Sequence, residues 1–146
     1  MSAFVPQGRL SSGVLDVNWL LDEFVAGTFG VEQAVGVSSD GLLMAISARL
    51  TRAEADKLAA MISGLVSLGL SASGLLAKGP LRQVITEFGQ GYLLVSAISD
   101  GSCLGVIAAP DCDLGLVGYE SAVLARRIGA ILTPSLVAEL KMSLGL

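Results

Sequence analysis

The sequence predicts an α/β fold of the α+β kind, in which five short strands form a sheet covered by helices on both faces. Three observations carry that expectation. Segments with apolar residues at helical spacing alternate with short extended segments. Turn signals built on Asp and Gly join consecutive strands and so predict antiparallel neighbours. In the later strands apolar residues fall on both faces, as with Leu94, Val95, Ile98, Val106 and Ile107, which requires cover on each side.

The first helix is expected after Asp16 as N-cap, with Val17, Leu20, Leu21, Phe24 and Val25 on its inner stripe. Gly27 and Gly30 punctuate the chain before an extended segment, Val31 to Ser38. Ser39-Asp40-Gly41 reads as a hairpin turn returning into a strand from Leu42 to Ala48. Thr51-Arg52-Ala53-Glu54 matches a capping box and opens a long helix that Gly79-Pro80 ends. Three strands follow, Leu81 to Phe88, Tyr92 to Ile98 and Cys103 to Ala109, joined by Gly89-Gln90-Gly91 and Ser99-Asp100-Gly101-Ser102. Asp113 caps the next helix, with Leu114, Val117, Leu124, Ile128 and Ile131 inward, and Thr133-Pro134 launches a short last one through Leu136, Val137, Leu140 and Leu144. Before all of these, residues 1–13 read as a flexible tail without the basic and apolar regions of a secretory signal, which makes the cytoplasm the expected compartment.

On the long helix, Leu58, Ile62, Leu65 and Leu68 or Gly69 form an apolar stripe, while Ala60, Ser63, Gly64, Ser67 and Ser71 form a neighbouring stripe of small residues. The small stripe suits either packing on the helix's own sheet or a close contact with a helix of another subunit. Because no charge occurs from Leu58 to Ala77, a membrane span also has to be weighed. Four serines, three glycines, the capping box and the flanking strands argue for a helix of the fold instead, without membrane insertion.

With 53% hydrophobic and 15% charged residues over 146 positions, the chain holds more apolar surface than one interior of this size needs, and some is expected to face a partner. A net charge of −4 removes the basic face that nucleic acid requires. The paired Arg126 and Arg127 fall where a helix C-terminus is expected and where positive charge is favourable. Cys103 and Cys112 are too few and too far apart for a disulfide framework or a Cys-x-x-Cys motif.

Reactive chemistry has little material. The chain has no histidine, so His-based acid/base catalysis, Ser/His and Cys/His pairs and His-containing zinc sites are all excluded. Asp16, Glu54 and Asp113 suffice as caps, and Asp40 and Asp100 as turn residues. Asp111 and Asp113 with Cys112 offer too few oxygens for calcium, so no metal or other cofactor is expected. Neither Gly89-Gln90-Gly91 nor Gly115-Leu116-Val117-Gly118 fits a phosphate-binding loop, so the chain is not expected to bind GTP itself. Trp19 lies off the inner stripe of its helix, at the boundary of the core or as a partner contact.

Four stretches carry a family resemblance: Leu15 to Phe24, Val37 to Ala45, Ala55 to Ala60, and Asp113 to Glu120. Together with the αββαβββα order, they make the chain from Val14 onward resemble the roadblock (dynein light chain related) superfamily, in particular its bacterial GTPase-associated branch. The resemblance implies a roadblock-like domain over residues 14–132 followed by a short C-terminal helix over 133–146. It implies a five-stranded antiparallel sheet, with the long helix on one face and two helices on the other.

It further implies a non-catalytic homodimer in which the strand after the long helix pairs with its twin and the two long helices lie together. On this chain that interface maps to Ser63, Gly64, Ser67, Ser71, Val84, Ile85 and Thr86, with Trp19 as a candidate contact to another partner. The implied function is to bind, and in some relatives regulate, a Ras-like small GTPase. An assembly subunit of a membrane-kinase or motor complex is the alternative, and a small-ligand sensor a further one.

Overall fold

The computed structural model describes residues 10–47 and 49–145. Nine elements run in the order α1 (Ser12–Gly27), β1 (Val31–Val37), β2 (Leu43–Ile46), α2 (Arg52–Leu76), β3 (Gln83–Phe88), β4 (Gly91–Ala97), β5 (Cys103–Ala108), α3 (Leu114–Ile131) and α4 (Pro134–Ser143). The sheet is fully antiparallel in the order β2-β1-β5-β4-β3, so β2 and β3 are its two edges.

Side chains alternate across this sheet into two cores. Val14, Val17, Leu21 and Phe24 of α1, Val117, Leu124 and Ile128 of α3, and Leu136 and Leu140 of α4 meet Ala34, Met44, Leu94, Leu104 and Val106 on one face. On the other, Ala55, Ala59 and Ile62 of α2 meet Val35, Val37, Leu43, Leu93, Val95 and Cys103. The expected division, with the long helix alone on one face, is the observed one. It is closest at Gly105, where a Cβ would come within 2.5 Å of Ile62 Cδ1, so the missing side chain lets α2 settle on the sheet centre.

Local chemistry places the element ends. The capping box is formed in α2: Thr51 Oγ1 accepts from the Glu54 amide at 3.2 Å, and Glu54 Oε1 accepts from the Thr51 amide at 3.2 Å. Those bonds to the ionised form hold the Glu54 carboxyl below its usual range. Asp113 Oδ1 accepts from the Leu116 amide at 3.1 Å and Thr133 Oγ1 from the Leu136 amide at 3.0 Å, both at the expected caps. The turns at Asp40-Gly41 and Asp100-Gly101 put Gly41 at φ 81° and Gly101 at φ 90°, the left-handed region where glycine has no Cβ penalty.

Three expectations need correction. Helix α1 starts at Ser12, not after Asp16, because Ser11 Oγ reaches the Val14 amide at 3.3 Å and Val14 extends the buried stripe one turn earlier. Ser11, Ser12 and Gly13 therefore leave the expected tail, whose residues 1–9 lie outside the described residues. Gly13 has a packing role: a Cβ there would stand 2.9 Å from Leu136 Cδ1 of α4. The long helix ends at Leu76, with Ala77 left-handed at φ 54° and the Lys78 amide bonded to Ser73 O, before Gly79-Pro80 is reached. Helix α3 continues to Ile131, so Arg126 and Arg127 sit over a turn inside it as exposed residues rather than at its end.

Candidate interaction surface at the open sheet edge

The two edges of the sheet meet different environments. At β2, Leu43, Met44 and Ala45 are each only 1% exposed although no strand among the described residues pairs beyond them. Helix α4 covers this edge. It packs against β2 and α1, placing Leu136 and Leu140 in one core and Leu144 against the other. Polar ties hold its far end: Lys141 Nζ donates to Asp40 Oδ2 in the β1–β2 turn at 2.9 Å, and Arg52 at the start of α2 donates to Leu144 O. Hydrogen bonds from Ser38 Oγ and from Lys141 lower the Asp40 carboxyl to about 2.

At β3 nothing comparable is present among the described residues. Val84, Ile85 and Thr86 pair with Val95, Leu94 and Leu93 of β4, and their outer side has no strand among the described residues. Ile85 is 48% exposed, Phe88 is also exposed, and Val84 and Thr86 are half-buried. Gln83 alone is tied inward, donating from Nε2 to Ser96 Oγ at 3.0 Å and to Gly118 O of α3 at 2.7 Å. An edge strand left bare in this way is a template for pairing with another chain.

Beside that edge the outer part of α2 lacks cover. Only Ala55, Ala59 and Ile62 of its 25 residues are buried. Leu68, expected on the inner stripe, is 71% exposed, and Gly69 takes the inner position against Leu81. Gly64, Ser67 and Ser71 lie on the outer crest, where a Cβ on Gly64 would meet nothing within 4 Å, so the small stripe does not pack on its own sheet. Ser63 departs from that set. It lies against Gly41 of the β1–β2 turn, whose added Cβ would be 3.0 Å from Ser63 Oγ, because each helical residue advances about 100° and carries Ser63 to the flank away from β3.

The sequence reading missed a second seam. Met61, Leu65, Leu68, Ala72 and Leu75 follow one another at spacings that alternate between four and three, the heptad pattern of paired helices. Leu75 is 86% exposed and Met61 is exposed as well. Ala72 and Leu76 adjoin β3 through a recess of about 650 Å³ shared with Leu81 and Val84, so the seam and the open edge form one surface. This heptad spacing lies in the sequence beside the stripe of serines and glycines.

The remaining candidates are separate from this surface. Trp19 stands on α1, across the sheet, and is 57% exposed rather than at the core boundary. Cys103 and Cys112 are free; burial first, then Asp100 for Cys103 and Asp111 and Asp113 for Cys112, pushes both thiols up, which disfavours the thiolate. Among the described residues, no three His, Cys, Asp or Glu side chains stand close enough to share a metal ion. The surface can bind through shape and apolar area, and it offers no set of reacting groups.

Comparison with known families agrees with this architecture. The Roadblock/LC7 domain model matches residues 17–108, well over half of the chain. The chain belongs to the Roadblock/LC7 family. Its fold is similar to the crystal structure of a Roadblock/LC7 domain from Streptomyces avermitilis, at 37% identity and a TM-score of 0.72, covering 76% of this chain and 92% of that one. MglB of Myxococcus xanthus shares the fold at 17% identity and a TM-score of 0.73, covering 80% of this chain and 94% of that one. The gliding protein MglB of Thermus thermophilus does so at 17% identity and a TM-score of 0.71, covering 85% and 96%. A comparison with curated protein sequences found no match. In this Roadblock domain, helix α4 follows the matched segment, and it is α4 that closes the β2 edge.

Proposed function

We propose that this Roadblock domain is a non-catalytic regulatory scaffold of the cytoplasm, which works as a homodimer and binds a Ras-like small GTPase. The observation that carries the reading is the contrast between a sealed β2 edge and an open β3 edge flanked by an exposed apolar seam on α2. In the dimer, Val84, Ile85 and Thr86 pair with their counterparts across a two-fold axis, and the Met61 to Leu75 seam packs against its twin. Gly64, Ser67 and Ser71 then remain on the crest beside that contact, where small side chains let a third element approach closely. Helix α2 is long and apolar enough to cross a membrane, with a mean hydropathy of 1.7 over its best window. Its first half is committed to the sheet through Ala55, Ala59 and Ile62, so its outer apolar residues are assigned to the protein partner.

The family resemblance supplies the GTPase as partner, and the absence of histidine and the disfavoured thiolates of the two cysteines support a role without chemistry of its own. The test measures binding to a GTP-analogue-loaded Ras-like GTPase from the same genome, together with its rate of GTP hydrolysis, with and without this protein. Saturable binding supports the reading, and a changed rate shows regulation. Failure to bind any such GTPase in either nucleotide state contradicts it.

A further inference from the structure

Across the sheet from α2, helices α1 and α3 lie side by side and leave a straight furrow between them. The α1 wall is a row at spacings of three and four, Leu20, Glu23 and Gly27, with Trp19 above it. The α3 wall repeats the spacing with Glu120, Val123 and Arg127. At its centre Trp19, Phe24 and Val123 border a recess of about 260 Å³. That is below the roughly 300–1,000 Å³ typical of small-molecule sites, and it suits a single bulky side chain.

We infer that this furrow is a second docking surface, and that its occupant is a basic amphipathic helix of a partner protein, which inserts one large apolar side chain beside Trp19. Charge complementarity selects that occupant. Glu23 and Glu120 outnumber Arg127 along the lining, and among the described residues none of them is in an ion pair. An acidic furrow with an apolar floor repels anionic lipid and nucleic acid and attracts a helix whose lysines or arginines flank an apolar stripe. The exposed Leu15, one turn before Trp19, and Tyr119, next to Glu120, widen the apolar rim for such a helix. Trp19 is the anchor, since exposed tryptophan next to an empty recess is the residue type that dominates binding energy. This surface is independent of the β3 edge and of the GTPase reading, and it would let one dimer hold two kinds of partner on opposite faces.

Trp19 is the sole tryptophan, so its fluorescence reports occupancy directly. The probe is a helical peptide of about 18 leucines and lysines in amphipathic order, titrated into the full chain, with a leucine and glutamate peptide as comparison. The expected result is a saturable blue shift of Trp19 emission with the lysine peptide alone. Glu120→Lys should weaken it roughly tenfold, whereas Asp56→Lys on α2 should leave it unchanged. Absence of a shift, an equal response to the glutamate peptide, or equal losses in both variants would overturn the proposal. Two further outcomes would also overturn it by naming another occupant. A response gained only in Phe4→Ser would assign the furrow to the chain's own N-terminal segment, and emission that changes with protein concentration alone would assign it to a second copy.

Discussion

The β2 and β3 edges of this sheet are both short strands that carry apolar residues, yet the fold treats them in opposite ways. At β2 the chain spends its last helix on cover, with Leu136, Leu140 and Leu144 sealing the strand and Lys141 and Arg52 tying the helix down. At β3 it leaves Ile85, Phe88 and the adjoining α2 seam bare. Unmanaged edges invite open-ended association. With one edge closed, strand pairing at the single open edge would close as a two-fold dimer instead of growing into a fibre.

The largest expected effect comes from breaking the sealed edge. Leu140→Ala removes a fully buried side chain that joins α4 to α1 and β2, and should cost about 2–5 kcal/mol in urea denaturation, with β2 amides losing hydrogen-exchange protection before those of β4. If β2 stayed protected, α4 would not be its cover. A smaller and opposite change is expected at the margin of the open edge. Ala77 holds a left-handed conformation that disfavours a Cβ, so Ala77→Gly should stabilise the chain by about 0.5–1 kcal/mol, read as a raised Tm. A lowered Tm would contradict the helix ending described.

The smallest effect concerns the tie between α4 and the β1–β2 turn. The Asp40 carboxyl is lowered to about 2 by its bonds to Ser38 and Lys141, so its contribution is present above the ordinary value near 3.8 and fades as pH falls from about 4 to 2. Because the pair is more than a third exposed on the Asp40 side, solvent screening holds this contribution below about 1 kcal/mol. Asp40→Asn should remove that part of the acid sensitivity and little else. Equal acid titrations of the two proteins would show that the tie does not hold α4.

The difference between the edges also marks what the sequence could express. The strand order along the chain, the capping box at Thr51, the Asp-Gly turns and the cover on both faces follow from local pattern, and the structure has them. The role of α4 does not, because Leu136, Leu140 and Leu144 only state that some apolar surface must be covered, and which strand they cover is set by the bend of 108° between α3 and α4. Ser11 was hidden as a cap by two further small residues, Ser12 and Gly13, that read as tail. Within the candidate surface, Val84, Ile85 and Thr86 came from the family resemblance, and they lie on the open edge strand. On α2 the fine placement was not legible, since two seams lie side by side on one helix and only the position of Ser63 against Gly41 and of Ala72 beside Val84 fixes which flank faces the edge.

The most direct test is the solution mass of the purified full chain by light scattering, beside the variant Ile85→Asp. Wild type is expected at twice the 14.9 kDa chain mass, and the variant at the single-chain mass with its circular dichroism and Tm retained, because Ile85 is 48% exposed and lies outside the core. A wild-type monomer, or a variant that stays dimeric, would contradict the claim that the β3 edge is where this protein meets its second copy.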